Sequence, residues 1–473
     1  MSEKSGKSSL ASRLTSKVID RVAPYVVIDG VLTKCARTGD SVKIPEGVTE
    51  IGRGAIREMH TLMKQLYIPN SLGPGKWLYW IDYEDQYMWM NIPGERFVVP
   101  YDHPAFWTVD GALLSRDGRK LYRVPRSVET YTIPSTVREI CRKAFYECER
   151  LERIEIPSSV KVIGESAFFN CDALKEIVIQ PGVERIEHNA FFGSGMLKEF
   201  VLPEGVRSME STVFHTDRLV LPSTLEEIVC TAISVKQEIV VAEGNPHFMS
   251  RDGALFDKTG TRLIKAPEQY CIENLPAIVQ VIGEKAFRYN KTLTDTVIPE
   301  GVVCIEAGAF SLTPVTQMKL PHSLTEIGEE AFAFCSDLKS VEMEDGVEKI
   351  GDGAFRYCKH MTALRLSASL REIPKQMCEE CHDLEQIEIP PSVKIICTEA
   401  FLWVKKATFS EGLEVIEKDA FDGWRMGWIR LPAGLKSVSK ESFSNANRAY
   451  YFPRGKYPRA WMERFGNYFE YDV

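Results

Sequence analysis

The chain is 473 residues long, more than one ordinary hydrophobic core holds, so it is either several domains or one extended array of repeats. Its 44% hydrophobic and 26% charged residues exclude disordered, collagen-like and low-complexity chains. With 58 basic against 66 acidic residues the net charge is −8, which argues against nucleic acid or acidic lipid as a partner, and no apolar run approaches the ~18 residues of a membrane helix.

Residues 1–26 are expected to form a tail or a cap, since Leu10, Leu14 and Val18 fall at i, i+4 and i+8 of a short amphipathic helix. They lack the 7–15-residue apolar stretch of a secretory signal. The cytoplasm is therefore the expected compartment, with the twelve cysteines as thiols.

From residue 27 onward one pattern repeats. Ala-Phe recurs at Ala144-Phe145, Ala167-Phe168 and Ala190-Phe191 in steps of 23 residues, with Val213-Phe214 next in line. It resumes at Ala286-Phe287, Ala309-Phe310, Ala331-Phe332 and Ala354-Phe355, then continues through Phe401, Phe421 and Phe443. Ile-Pro or Leu-Pro marches beside it, as at Ile156-Pro157, Leu202-Pro203, Leu320-Pro321 and Ile389-Pro390. About fifteen units, some degenerate, span Val42 to Phe452.

In the unit 151–172 (LERIEIPSSVKVIGESAFFNCD), Leu151, Ile154 and Ile156 predict a strand with its last two apolar residues on one face, ended by Pro157. Val160 and Ile163 are expected to point inward on a short extended segment, Gly164 to allow a tight turn, and Ala167, Phe168 and Cys171 to make one helical turn. A lone unit cannot offset the entropy of ordering its backbone, whereas stacked units pair their strands in parallel and share one core. The predicted fold is a right-handed solenoid, mainly β with short helical turns, its parallel sheet on the concave face.

The array is divided as 27–72, 126–238 and 268–452, with insertions at 73–125 and 239–267. Segments 103–125 and 245–267 align without gaps at an offset of 142, and their Asp-Gly pairs predict β-hairpins. Before the first lies an aromatic-rich segment with Trp77, Trp80, Tyr83, Tyr87 and Trp89, either packed against the first coils or exposed as a contact surface. Residues 453–473, with Trp461, Met462 and Phe465 at helical spacing, are expected to cap the open end.

The recurring I-P-x-x-V-x-x-I-G-x-x-A-F-x-x-C-x-x-L resembles the BspA-type, or treponemal-type, leucine-rich repeat, position by position at Ile156-Pro157, Val160, Ile163-Gly164, Ala167-Phe168, Cys171 and Leu174. Residues 27–56 resemble a common start of such proteins. The resemblance implies a leucine-rich-repeat solenoid with no catalytic residues to carry over. Its best-known members are surface adhesins that bind host proteins, the alternative here to a cytoplasmic scaffold.

No catalytic residue, metal site or cofactor is expected, because nucleotide-binding, hydrolase and zinc motifs are absent from the sequence. Cys148, Cys171, Cys335, Cys358 and Cys381 each follow the Phe column by three and are expected to be core residues. Cys378 and Cys381 spell C-x-x-C, but Cys378 only replaces the Phe of its repeat. His360 and His382 are expected in exposed turns, Glu152, Glu155 and Glu176 on a solvated face, and Asn290-Lys291-Thr292 is a glycosylation triplet by spelling alone. A protein partner is expected on the concave face towards the C-terminal end. There the outward strand positions change from polar pairs, such as Gln317 with Lys319, to Trp428 with Arg430 and then Ala449 with Tyr451; the alternative is that Trp428 packs beneath the C-terminal segment.

Overall fold

The computed structural model describes residues 25–35, 41–52, 55, 64–75, 96–210, 214–229, 233–422, 429–438, 441–444, 450–452 and 469–471. The expected N-terminal helix with Leu10, Leu14 and Val18, the aromatic segment 77–89, and Trp461, Met462 and Phe465 lie outside them. Contacts divide the chain into two compact units: Met1–Thr216 with Thr224–Val229, and Asp217–Ser223 with Cys230–Val473. Each is a parallel β-solenoid.

Coil 151–173 shows how the sequence builds the unit. In Arg153–Ile156, Ile154 and Ile156 are buried while Arg153 and Glu155 face outward. The strand pairs in parallel with Glu176–Ile179, residue for residue, one repeat later. Val160 and Ile163 are buried as expected. Their segment also makes a ladder of its own. Val162–Ile163 pairs in parallel with Glu139–Ile140 on one side and Arg185–Ile186 on the other. Each coil therefore contributes to two ladders rather than one.

Two local expectations are corrected. Gly164 does not adopt the left-handed backbone of a tight turn; a Cβ there would stand 2.8 Å from the carbonyl oxygen of Ile140 and the amide nitrogen of Arg142 in the preceding coil. The glycine is needed for close stacking. The Ala-Phe segment is not a helical turn either. Ser166 and Asn170 are left-handed (φ 54° each), which interrupts helical geometry. The amides of Ala167 and Phe169 bond three residues back, whereas those of Ser166, Phe168 and Asn170 donate to His188, Ala190 and Phe192 of the next coil. A helix would satisfy these amides within its own turn, and alternation instead ties neighbouring coils together. Among the described residues the one helical segment is the 3₁₀ turn Ile272–Asn274.

The hairpin insertions start ladders rather than merely interrupt them. Phe106–Val109 and Ala112–Ser115 pair antiparallel around Asp110 (φ 50°) and Gly111 (φ 81°), both left-handed as a two-residue hairpin turn requires. Lys120–Arg123 adds antiparallel to this hairpin, then offers its other edge in parallel to Glu139–Ile140. In the second unit Phe248–Arg251, Ala254–Asp257 and Arg262–Lys265 do the same ahead of Val281–Ile282. A shorter hairpin turns around Asp29-Gly30: Tyr25–Ile28 pairs antiparallel with Val31–Cys35, which itself pairs in parallel with Glu50–Ile51. An antiparallel hairpin covers the edge that the first parallel strand would leave open.

Buried cations complete the start of the arrays at 126–238 and 268–452. Lys265 Nζ donates to the carbonyls of Lys285 and Arg288 (3.3 Å each), and the Arg123 guanidinium donates to the carbonyl of Lys143. Lys265 and Arg123 are 1% and 4% exposed. The hairpin ahead of the first Ala-Phe turn has no such turn of its own, so side chains supply donors that a preceding coil would otherwise give.

The core is a column of rings. Phe145, Phe168 and Phe191 stack with centroids 4.6 and 5.3 Å apart; Phe287, Phe310, Phe332 and Phe355 continue the pattern in the second unit at 5.0–5.3 Å. Buried Cys378 occupies the next ring position, and Phe401, Phe421 and Phe443 resume the column. At the C-terminal end, Ile429–Arg430, Tyr450–Phe452 and Phe469–Tyr471 form a parallel sheet, so part of the expected cap is one more strand.

Candidate functional site

Side-chain alternation sends every second residue of the longer strands away from the core. In the second unit these strands are Asp295–Val297, Gln317–Lys319, Ser340–Glu342, Ala363–Arg365, Gln386–Glu388 and Lys406–Thr408, and their outward face is hollowed to about 760 Å³. Lys319, Glu342 and Arg365 lie in register on consecutive strands and alternate in sign. Even so, no ion pair joins them, and among the described residues Arg365 reaches only Asp345, at 3.9 Å. On the corresponding face of the first unit Arg153 pairs with Glu176 at 3.1 Å, Lys175 with Glu152 at 3.3 Å, and Gln180 donates to Glu155 at 3.0 Å; of these the second unit repeats the Lys175–Glu152 pair, as Lys405 with Glu385.

The sequence-predicted site residues fall as follows. Arg430 is exposed on Ile429–Arg430 and is the register partner of Tyr451 on Tyr450–Phe452. Trp428, Trp77, Trp80, Tyr83, Tyr87 and Trp89 lie outside the described residues.

The cysteine column is structural. The thiols of Cys171, Cys335, Cys358 and Cys381 donate to the carbonyls of Phe145, Phe310, Phe332 and Phe355 in the preceding coil at 3.1–3.2 Å. Burial pushes the Cys148 thiol up to about 12 and that of Cys335 to about 11, leaving neither as a thiolate nucleophile near neutral pH. Asn290 takes the same column position; it is 1% exposed and its amide donates to Pro267 and Tyr270 at 3.0 and 2.9 Å, so a glycan cannot be accommodated in the folded chain. His360 is exposed beside Asp383, as expected, while His382 is half-buried against Trp403 with ring centroids 4.1 Å apart. Among the described residues no group of three His, Cys, Asp or Glu is arranged to hold a metal ion, and no helix is long and apolar enough to cross a membrane.

The BspA type leucine-rich repeat profile matches six copies, over residues 118–234, 280–407 and 402–452, more than half of the sequence. The chain belongs to the BspA-type leucine-rich repeat family. A leucine-rich repeat protein from Eubacterium ventriosum is 17% identical over 75% of this chain and 95% of its own, with a TM-score of 0.49. The pneumococcal vaccine antigen PcpA is 16% identical over 96% and 88%, TM-score 0.42. A leucine-rich repeat protein from Bacteroides ovatus is 20% identical over 78% and 98%, TM-score 0.38. A comparison with curated protein sequences gives no match.

One feature of this BspA-type chain escaped the repeat pattern. Two residues after the core Phe, the second unit carries Tyr289, Leu312, Phe334 and Tyr357 on the turn edge, where the first unit has Glu147, Asn170 and Gly193. The residue types were in plain view, but their backbone conformation was not.

Proposed function

We propose that this BspA-type chain is a non-enzymatic scaffold that binds another protein along the hollowed face between Asp295 and Thr408, continuing to Arg430 and Tyr451. The observation that carries this reading is the row Lys319, Glu342, Arg365, whose charges alternate without neutralising one another. Steps of about 4.8 Å with alternating sign suit a folded or extended protein surface; a nucleic acid would need one sign throughout. Trp428, and the separate aromatic set Trp77, Trp80, Tyr83, Tyr87 and Trp89, belong to the proposal on sequence grounds alone. The test is affinity purification from the native cell under mild crosslinking, comparing the wild type with Glu342→Lys/Glu388→Lys and with Trp428→Ala/Arg430→Ala. The first variant should lose the principal partner by ~30-fold, about 2 kcal/mol, with an unchanged melting temperature. Undiminished capture by both variants would refute the surface.

The same reading places the scaffold in the cytoplasm, where its thiols stay reduced. All eleven described cysteines are free, which supports it. Thiol titration should count close to twelve groups after denaturation without reductant and far fewer in the folded protein. Two or more stable disulfides in rapidly alkylated material, or cleavage by protease added to intact cells, would favour the surface-adhesin alternative.

A further inference from the structure

We infer that the turn edge of the second unit carries a second docking strip, Tyr289–Leu312–Phe334–Tyr357, which takes an apolar side chain of a partner polypeptide with an acidic residue beside it. All four residues are left-handed, with φ between 60° and 70°. Among the described residues every other left-handed non-glycine is polar, fourteen positions of Asp, Asn, Glu, Gln, Lys and Ser. Bulky apolar side chains cost free energy in this conformation, and such outliers concentrate where a surface is used.

The middle of the strip gains least from internal burial. Leu312 and Phe334 are 41% and 40% exposed, whereas Tyr289 and Tyr357 are half-buried; the rings of Phe334 and Tyr357 stack on each other at 4.8 Å, with the Arg356 guanidinium over both at 5.9 and 5.3 Å. The equivalent residues of the first unit, Glu147, Asn170 and Gly193, show that the coil closes without apolar groups there.

Beside Leu312 and Phe334 the surface dips into a hollow of about 500 Å³, lined also by Lys285 and Arg288 and by the carboxylates Glu284, Glu329 and Glu330. Lys285 pairs with Glu284 at 3.0 Å, and Glu330 pairs with Arg356 at 2.7 Å. Arg288 has no carboxylate among the described residues; its guanidinium lies over the Tyr289 ring at 5.0 Å and its buried Nε has no hydrogen-bond partner. A partner side chain such as Leu or Phe fits the hollow, and an adjacent Asp or Glu supplies the missing counter-charge.

The probe is a phage-displayed library of random peptides selected on the full chain. Enriched peptides should share a large apolar residue within two positions of Asp or Glu. Leu312→Asn/Phe334→Asn, which installs the residue used at position 170, should fold at least as stably as the wild type and bind the enriched peptides at least tenfold more weakly. Arg288→Gln should abolish the acidic preference. Failure to enrich such a motif, or peptide binding that survives Leu312→Asn/Phe334→Asn, would overturn the inference. So would loss of stability in that double variant, because the strip would then be part of the core. A wild-type dimer in sedimentation that the double variant converts to monomer would assign the strip to a second copy instead. Glu342→Lys/Glu388→Lys leaves this edge intact and should bind the peptides normally, which separates this result from the ladder-face proposal.

Discussion

Replacing Phe355 by alanine should destabilise its region by about 3–5 kcal/mol, the range for truncating a buried ring. Phe355 is fully buried and stacks on Phe332 with the ring planes 2° apart at 5.3 Å. On its other side the column is interrupted by Cys378, so no second ring is there to close the gap left by the substitution. The backbone of the coil would stay tied, since the Phe355 amide donates to Met377 at 2.9 Å and its carbonyl accepts from Cys381. Damage should therefore be local: solenoid coils couple mainly to their neighbours, and limited proteolysis should cut between residues 332 and 401 before any other part of the array. Phe355→Leu keeps much of the volume and should cost less than half as much. A Phe355→Ala protein as protease-resistant as the wild type would remove this ring from the core.

That prediction follows from the sequence almost unaided, because the Phe, Ala and Cys columns record burial directly. Ile154 and Ile156 announced their strand by alternation, and Asp110-Gly111 and Asp252-Gly253 announced their hairpins by turn chemistry. The second ladder was not legible, since strands of two residues such as Val162–Ile163 are too short for any periodicity and exist only through pairing with distant coils. Ala167, Phe168 and Cys171 imitate a helical offset because a chain that reverses over four residues also returns its side chains to one side. The discriminating signal was the run of small, polar or glycine residues flanking the Phe, such as Ser166, Asn170, Asn189 and Gly193, which the left-handed positions select. For the candidate site, alternation identified which residues of Gln317–Lys319 and Ser340–Glu342 face outward. It could not say that Arg153 meets Glu176 while Lys319 and Glu342 stay apart, because that depends on side-chain rotamers across neighbouring strands.

Alkaline pH should unfold the second unit well before it harms an average protein. Burial raises the thiols of Cys335, to about 11, and of Cys358 and Cys378, well above the ordinary value of 9.0. Below pH 9 both folded and unfolded chains hold these protons and stability is unaffected. Above pH 9 the unfolded chain releases them while the folded chain does not, so stability falls by about 1.4 kcal/mol per pH unit for each thiol, or about 4 kcal/mol per unit for the three. The first unit responds differently. Cys35, Cys148 and Cys171 act in the same direction, but Lys143, 4% exposed, is pushed down to about 7, chiefly by burial and then by the charges of Arg142 and Arg123. Between pH 7 and 10.5 its unfolded form holds a proton that the folded form lacks, so that contribution to stability rises with pH by about 1.4 kcal/mol per unit. The first unit should thus gain stability from pH 7 to 9 and lose it beyond, less steeply than the second, which stays level up to pH 9 and then drops. Urea unfolding in reductant at pH 7, 8, 9 and 10, with pulse proteolysis to assign fragments, distinguishes the two. Cys335→Ala/Cys358→Ala/Cys378→Ala should flatten the steep limb, and Lys143→Met should remove the rise. A second unit equally stable at pH 8 and pH 10 would mean that its thiols titrate in the folded state and that Cys335, Cys358 and Cys378 are not the buried groups the structure makes them.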